Sequence, residues 1–446
     1  KSNILRLSFD KKIDVEIDFH LDNIFHHEFP TELTNSGKEK SKQILILGNP
    51  PWVTNTELST LNSANIPQKS NLKKVKGLDA ITGKANFDIA ESIITRMIQI
   101  FSNQQAKLVI LCKTSVIKNI IRDMKKLSLN LSNSRSLILD AKKEFNVNVD
   151  AALFFTDIGR FIEESCEISS LYEPRKVIRT FGKVGQKFVS DIDLYQKFSY
   201  LDGHSSLEWR QGVKHDAAKI FVLTQKSEEL LINGLNEPVD VEDDLIYCFL
   251  KGSSLKKPVI RETKQKIIIT QKSIGQDTSY IEEKFPKLWA YLSKHREIID
   301  KRRSIIYKKK PEFSIFGIGP YSFLPYKVAI AGMYKSPNFA LVCPINDKPV
   351  MLDDTSYFLS FEYFNTAFFA WVLLNSTDVQ NFLSSIVFLD SKRPYTKDKL
   401  TRIDLNRLAK SFTYYDIVET YEKKLIQFVP QFKFNEKDYE AFIEAM

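Results

Sequence analysis

The chain has 446 residues, of which 43% are hydrophobic and 27% are charged, and these proportions are typical of a soluble globular protein. Its length allows two or three domains, and no apolar run approaches the roughly 20 residues that a membrane-spanning helix needs. The N-terminus lacks the pattern of a signal peptide. The cysteines lie far apart without a CxxC pair, so neither a metal site nor a disulfide framework is expected: Cys112, Cys166, Cys248 and Cys343. These features indicate a cytoplasmic protein.

The net charge of +9 is modest for this length, but it is distributed unevenly. Between Lys251 and Lys335 there are 19 basic and 7 acidic residues, a balance of +12 that leaves −3 for the rest of the chain. Aromatic residues are interleaved with the basic ones. Such a block is typical of a surface that binds a polyanion, and nucleic acid is the expected partner. The alternative is a solvated lysine-rich face, which is the simpler interpretation of one cluster such as 308–310.

Strand-like and helix-like segments alternate along the first 160 residues. Strands are predicted at 13–17, 43–48, 106–112, 136–140 and 151–156, and helices at 87–101 and 115–127. This alternation predicts an α/β fold with an open, mostly parallel sheet. The continuous apolar run 43–48 is typical of a strand buried on both faces. The last two strands leave no room for a helix between them, so they are expected to form an antiparallel hairpin at the sheet edge.

Beyond residue 172 the pattern becomes mixed, irregular and rich in aromatic residues, which favours an α+β architecture. Strands are predicted at 266–270 and 326–330, and helices at 285–303 and 361–374. The sequence therefore predicts three parts: an α/β domain over 1–172, a linker over 173–205 and a second domain over 206–446.

The tetrapeptide Asn49-Pro50-Pro51-Trp52 directly follows the predicted strand 43–48. Ligands of an α/β sheet bind beyond the carboxyl ends of its strands, where this tetrapeptide would lie. Because two prolines fix the backbone and remove two N–H donors, the Asn49 amide and the preceding carbonyls are held in one direction. Oxygen acceptors beside a flat ring suit a flipped nucleobase, whose exocyclic amine would donate to them. The simpler alternative is a Pro-Pro turn that ends a strand, with Trp52 merely packed.

This tetrapeptide resembles the Asn/Asp-Pro-Pro-aromatic motif of DNA amino-methyltransferases, specifically the adenine-N6 group of type II and type IIG restriction–modification systems. The resemblance implies a Rossmann-like methyltransferase sheet, incomplete at its N-terminus, and S-adenosyl-L-methionine as cofactor. It implies that Asn49, Pro50, Pro51 and Trp52 are catalytic. It also implies that Phe145 stacks with Trp52 on the extruded adenine, although a phenylalanine at this position could be plain core.

Two other segments resemble cofactor-binding motifs of the same family. In His20–Phe25 the resemblance assigns Asp22 to the cofactor's adenine, and in 84–89 it makes Asn86, Phe87 and Asp88 candidates for the border of the cofactor pocket. Helix capping is an alternative role for either aspartate.

The C-terminal part resembles the TaqI-like specificity domains of these enzymes, over 209–214, 247–252, 285–292 with 301–303, and 371–376. The resemblance implies a target-recognition domain for double-stranded DNA. The residues predicted to contact DNA are Lys214, Lys251, Lys301, Arg302, Arg303, Lys308, Lys309 and Lys310.

The family's glycine-rich cofactor loop is not recognisable in the sequence; 316–320 comes nearest but lies deep in the specificity region. We expect the loop to lie in a region before Lys1 or on a separate chain, and these 446 residues alone to bind S-adenosylmethionine poorly. No nuclease signature is recognisable. Two other hypotheses stay open, a non-catalytic DNA-binding specificity or modification subunit that needs an N-terminal partner, and methylation of cytosine N4 or a protein glutamine. Asn49 and the basic C-terminal domain favour adenine in DNA.

Overall fold

The computed structural model describes residues 20–34, 44–52, 88–159, 161–227, 230–429 and 433–446. The predicted strand 13–17 therefore lies outside the described residues. The chain divides into two compact units, Lys1–Gly185 and Gln186–Met446. The division falls inside the segment predicted as a linker, much of which is occupied by a strand that ends at Val184 and a helix that begins at Ile192.

The first unit contains a six-stranded part of a mixed sheet, in the order β1-β2-β4-β3-β5-β6, with helices packed against it. The strands are β1 Ile44–Gly48, β2 Ala106–Lys113, β3 Leu131–Leu139, β4 Ala151–Ile158, β5 Ser165–Ser170 and β6 Glu173–Val184. The helices are α1 Thr31–Thr34, α2 Ile89–Ile100, α3 Thr114–Asp123 and α4 Ala141–Phe145. Helix α3 is amphipathic, since Val116, Ile117, Ile120 and Ile121 are all buried and share one face.

Strand direction in this sheet differs from the prediction. Only β1 with β2 and β3 with β5 are parallel, whereas β4 runs antiparallel to both β2 and β3, and β5 antiparallel to β6. The prediction of a mostly parallel sheet is therefore wrong for the described strands. The connections that follow β3, β4 and β5 are too short for a parallel crossover, which needs a dozen or more residues.

The predicted antiparallel pairing of the last two strands is confirmed, but the predicted edge position is wrong. Strand β4 inserts between β2 and β3, with Ile110 opposite Phe154 and Leu137 opposite Leu153. The connection also holds the five-residue helix α4, which the sequence analysis excluded.

Strand β1 is only partly buried, contrary to the prediction for its apolar run. Leu45 and Leu47 are 57% and 68% exposed, and among the described strands β1 pairs with β2 alone. Its register places Gly48 opposite Ile110, so the segment that follows β1 starts at the carboxyl end of β2.

The second unit has the mixed α+β composition that the sequence predicts. Its strands are β7 Lys187–Val189, β8 Arg210–Gln211, β9 Val222–Gln225, β10 Leu231–Ile232, β11 Pro238–Val239, β12 Ile246–Leu250, β13 Val259–Ile260, β14 Gln265–Ile268, β15 Tyr326–Ala331, β16 Ala340–Val342, β17 Met351–Leu352 and β18 Ser356–Phe361. Its helices are α5 Ile192–Phe198, α6 Ala218–Phe221, α7 Tyr280–Lys284, α8 Pro286–Lys294, α9 Arg296–Asp300, α10 Phe364–Leu374, α11 Thr377–Ile386, α12 Lys397–Leu400, α13 Leu405–Ser411, α14 Tyr414–Lys424 and α15 Glu436–Ala445.

Two sheets organise this unit, in the orders β11-β10-β9-β14-β12-β17 and β13-β16-β15-β18-β8. The strands predicted at 266–270 and 326–330 are β14 and β15. The single helix predicted over 285–303 is instead two helices, α8 and α9, preceded by α7. Pro286 begins α8 because proline lacks the N–H that a helix interior needs, and α8 ends before His295.

The family-like segment 371–376, which contains Leu373-Leu374-Asn375-Ser376, lies at the end of helix α10, and its polar side chains make structural contacts. Trp371 is fully buried and its indole N–H donates to the carbonyl of Phe339 at 3.0 Å. The Asn375 amide donates to that same carbonyl and accepts from the Phe339 N–H, and Ser376 caps α11. No helix in the described ranges is both long and apolar enough to cross a membrane.

Candidate active site and nucleic-acid interface

The tetrapeptide 49–52 lies at the carboxyl end of β1, as predicted. Asn49 and Pro51 are exposed and Pro50 is buried. The indole N–H of Trp52 donates to the carbonyl of Leu111 at 3.3 Å, which ties the tetrapeptide to the end of β2. The Asn49 amide makes no hydrogen bond to a described residue.

The structure brings Phe145 to Trp52 although 93 positions separate them in the sequence. Their ring centroids are 6.2 Å apart and their planes are almost perpendicular at 87°. Phe145 ends helix α4, which Asp140 caps at its start and which Asn146 ends in the left-handed conformation. The Phe145 side chain is 49% exposed, so a planar ligand can reach this aromatic pair.

The candidate cofactor residue Asp88 is committed to internal contacts. It is the N-cap of α2, where Oδ1 accepts from the Ala90 N–H at 3.1 Å, and Oδ2 accepts from the Lys113 ammonium at 2.8 Å. The capping role that the sequence left open is thus the one the geometry supports. Lys113, at the last position of β2, was not singled out from the sequence, since a lysine at a strand end has no distinctive pattern.

The candidate cofactor residue Asp22 lies in a segment attached to α2. The Arg96 guanidinium donates to the carbonyls of Ile24 and His27 at 3.0 Å each. The His27 Nδ1 lies 2.9 Å from an Asp22 oxygen, and ligand atoms of His20, Asp22 and His27 all lie within 4.8 Å of one another. The set could hold a cation, which the sequence did not predict. Asp22 is exposed, whereas Asn86 and Phe87 lie outside the described residues.

The cations predicted to contact DNA fall into two classes in the second unit. Exposed members are Lys301, Arg303, Lys308, Lys309 and Lys310, and none has an ion-pair partner among the described residues. Lys251 is half-buried, and Lys214 is half-buried with its ammonium 3.6 Å from Asp216. Arg302 points inward, because its guanidinium donates to backbone carbonyls, and its predicted role as a direct DNA contact is not supported by this geometry.

Three glycines of the sequence motifs meet around Asp353. A Cβ on Gly212 would overlap with the Asp353 carbonyl oxygen, and one on Gly317, whose φ is +67°, would overlap with the Gly212 carbonyl oxygen. The Asp353 carboxylate accepts from the Gly252 N–H at 3.0 Å and from the Ser356 hydroxyl at 2.9 Å. Because glycine has no Cβ, the backbone segments that carry Gly212 and Gly317 can pass this close to each other and to Asp353, and we call this arrangement the backbone crossing. Asp353 could not be predicted as important from the sequence, since the motifs it joins are far apart in the chain.

Beside this crossing, His215 is stacked on Phe221 with ring centroids 5.9 Å apart. Burial lowers the pKa of His215 to about 4, so its imidazole is neutral at neutral pH. Arg210, in β8, lies with its guanidinium carbon 4.5 Å from the ring centroid of Tyr321 and pairs with Glu208.

No family model matches the chain. The type II methyltransferase M.NspV from a Nostoc species is 42% identical over 372 residues, which cover 83% of this chain and 77% of that protein. The chain belongs to the type II methyltransferase family. Its general activity is therefore that of a DNA methyltransferase of a restriction–modification system. This agrees with the family predicted from the resemblance of the tetrapeptide 49–52.

Two solved structures align weakly with this type II methyltransferase. One is the type IIL restriction–modification enzyme MmeI in complex with DNA, at a TM-score of 0.48 and 14% identity over 90% of this chain. The other is the type IIG restriction endonuclease BpuSI, at a TM-score of 0.30 and 12% identity over 90% of this chain. The chain spans 56% and 52% of their respective lengths.

Proposed function

We propose that this methyltransferase transfers a methyl group from S-adenosyl-L-methionine to adenine N6 within a specific double-stranded DNA sequence, after the target base flips out of the helix. The observation that carries the proposal is the arrangement at the carboxyl end of β1. There, an exposed Asn49 amide that makes no hydrogen bond to a described residue lies close in the chain to Trp52, and Trp52 forms a perpendicular pair with the half-exposed Phe145.

Adenine N6 is a poor nucleophile because its lone pair is delocalised into the ring. The Asn49 side-chain oxygen, together with a backbone carbonyl of the tetrapeptide, would accept both hydrogens of the amine and favour a pyramidal nitrogen whose lone pair is localised. The rigid Pro50-Pro51 backbone keeps these acceptors in place, so positioning supplies much of the rate enhancement. S-adenosylmethionine supplies the electrophilic methyl group.

The aromatic pair suits the flipped base. Base–aromatic stacking is worth about 1–3 kcal/mol per base, enough to offset much of the cost of unstacking. Trp52 is already oriented by its hydrogen bond to Leu111, so little side-chain freedom remains to be lost when a base binds.

The described residues include fewer candidates for binding the cofactor than for binding the target base. Each Asp88 oxygen accepts one hydrogen bond within the chain and keeps a second lone pair, so Asp88 stays a candidate for the border of the cofactor pocket as well as a helix cap. Asp22 stays a candidate, exposed but close to His27. No step is therefore assigned to either carboxylate. The glycine-rich loop expected from the resemblance would come from a preceding region or a separate chain.

The second unit would bind the DNA duplex. Its exposed cations, which have no ion-pair partner among the described residues, are suited to phosphates, which position a protein on DNA, while side chains that reach base edges select the sequence. This division of labour assigns chemistry to the first unit and site selection to the second.

Substitution of Asn49 by alanine tests the proposal. We expect Asn49→Ala to abolish methylation of adenine while DNA affinity stays within about twofold, because the amide acts on the exocyclic amine and not on the duplex. Asn103→Ala is the matched control, since Asn103 is an exposed asparagine in the turn after α2. Methylation by Asn49→Ala at a rate near wild type would contradict the proposal.

The same methylation measurement, with the modified base identified, distinguishes the proposed function from the other two hypotheses. Methylated cytosine in the product DNA would indicate cytosine N4 as the target. DNA binding without methylation, even when a chain carrying the cofactor loop is added, would favour a non-catalytic specificity subunit.

A further inference from the structure

One surface loop of the second unit, residues 301–312, combines exposed cations with an exposed aliphatic side chain, and we call it the basic loop. Ile305 is 72% exposed, the highest value for a large aliphatic side chain among the described residues of this unit. Five cations of the loop are exposed and have no ion-pair partner within the described ranges: Lys301, Arg303, Lys308, Lys309 and Lys310. Its acidic residue Glu312 is already paired with Arg296 at 2.6 Å.

The base of the basic loop is held by Arg302. Its Nε donates to the Ile299 carbonyl at 2.9 Å, before the loop, and its Nη1 donates to the Ser314 carbonyl at 2.6 Å, after the loop. The guanidinium carbon also lies 3.9 Å from the ring centroid of Tyr307, in the middle of the loop. A single planar side chain therefore joins both ends of the loop and its centre.

Aromatic contacts connect the basic loop to the hydrophobic core of the second unit. Tyr307 contacts Phe316 edge-on at 5.4 Å, and Phe313, only 2% exposed, contacts Trp289 at 5.3 Å. Between these anchors, a 3-10 turn at Ile305–Tyr307 gives the loop a defined backbone. In this backbone conformation the Ile305 side chain projects into solvent.

We propose that the basic loop is a DNA-contacting wedge, in which the exposed cations bind phosphates, Ile305 makes an apolar contact with bases in a groove, and Arg302 positions the loop. This inference rests on the proposed function, since it names the element through which the second unit grips DNA. An aliphatic side chain surrounded by cations matches a duplex, which presents anionic backbones on either side of an apolar base stack. Proteins that deform DNA insert isoleucine and similar residues between base steps.

The contributions of the cations and of Ile305 can be separated by their salt dependence. The probe is a short mixed-sequence DNA duplex, whose binding to the full chain is followed by fluorescence anisotropy at several salt concentrations. The slope of log affinity against log salt is negative. Replacing Lys308, Lys309 and Lys310 with glutamine should reduce its magnitude by about 0.9 for each lost phosphate contact, about 2.7 in total. Ile305→Ala should weaken binding about tenfold at every salt concentration and leave the slope unchanged, because an apolar contact releases no counterions.

Matched variants exclude general effects of charge and of surface exposure. Glutamine at Lys410, Lys423 and Lys437 makes the same charge change on exposed helical positions, and Ile274→Ala removes another exposed isoleucine of this unit. Equal effects in the control and loop variants would overturn the inference. If wild type itself fails to bind the duplex, the proposed function fails as well; if wild type binds and the loop variants bind equally well, only the wedge fails.

The positioning role of Arg302 has its own readout. Arg302→Lys keeps the charge but loses the planar fork that joins the two carbonyls. We expect weaker binding with a shallower salt slope, because the cations of a misplaced loop lose phosphate contacts, and no further loss when Ile305→Ala is added, because the wedge would already be misplaced. Additive losses in the double variant would show that Arg302 acts independently of Ile305.

Discussion

The buried lysine Lys327 allows a quantitative prediction of how the free energy of unfolding depends on pH. It is 1% exposed within β15, and its ammonium donates to the Leu324 carbonyl at 2.8 Å and lies 5.9 Å from the ring centroid of Phe358. Burial, with no counter-ion among the described residues, lowers the pKa of Lys327 to about 7. The perturbation that we consider is Lys327→Met, which keeps the length of the side chain and removes the charge.

The sign of the effect follows from the direction of this pKa change. The unfolded chain, in which lysine has its usual pKa of about 10.4, binds the proton more tightly than the folded chain. The free energy of unfolding therefore rises with pH between about 7 and 10.4, by up to about 1.4 kcal/mol per pH unit. At about pH 7 the buried ammonium costs about 4 kcal/mol. Lys327→Met removes that cost but leaves the Leu324 carbonyl without a donor, at about 1–3 kcal/mol.

We therefore expect Lys327→Met to be more stable than wild type by about 1–3 kcal/mol at about pH 7, and less stable by a similar amount above about pH 10. Urea denaturation followed by tryptophan fluorescence measures this, and the difference between the two proteins removes the contributions of other titrating groups. A difference that does not change between these pH values would refute the reasoning.

Three further predictions concern the backbone crossing, a buried imidazole and a helix cap. Gly212→Ala should lower the free energy of unfolding by about 3 kcal/mol or more, because its Cβ would overlap with the Asp353 carbonyl, whereas Gly48→Ala, with its nearest neighbour at 3.7 Å, should be tolerated. His215, whose folded pKa of about 4 lies below its unfolded value, should make stability fall as pH drops from about 6.5 to about 4, and His215→Gln should remove part of that fall in denaturation curves. Asp88→Ala should cost about 1–2 kcal/mol more than Asp88→Asn, since both variants lose the ion pair with Lys113 but asparagine still caps the helix; equal losses in the two variants would argue against the capping role.

The sequence was most informative where structure is determined locally. An apolar run followed by Asn49-Pro50-Pro51-Trp52 suffices to predict a strand and a rigid turn at its carboxyl end, because prolines restrict the backbone wherever they occur. The same holds for the predicted helices that became α2 and α3, whose apolar spacing is visible within a dozen residues. The proximity of Phe145 to Trp52 was proposed from family resemblance and not from spacing, and the structure brings the two rings together.

Strand order could not be predicted in the same way. The insertion of β4 between β2 and β3 depends on pairing between positions 12 to 52 residues apart, which no local pattern encodes. The exposure of Leu45 and Leu47 likewise reflects the position of β1 in the sheet, since an apolar run by itself does not show how many neighbours a strand has.

Side-chain roles were the least predictable from composition. Arg302 belongs to a basic cluster in the sequence, yet it is turned inward by the carbonyls of Ile299 and Ser314, which flank the loop. Asp353 carries no motif, and its importance arises from three glycine-containing segments that meet at it in space. In both cases the decisive contacts depend on the folded backbone, and for Asp353 one of them joins positions 101 residues apart, which the sequence does not reveal.

The central claim is that the amide of Asn49 and the rings of Trp52 and Phe145 serve methyl transfer to adenine N6. The most direct test is mass analysis of nucleosides from the DNA of cells that express the gene with its native flanking sequence, compared with cells that express the Asn49→Ala variant. We expect N6-methyladenine in the DNA of the first cells and none above background in the second. Methylated cytosine without methylated adenine in the wild-type sample, or N6-methyladenine at equal levels in both, would contradict the claim.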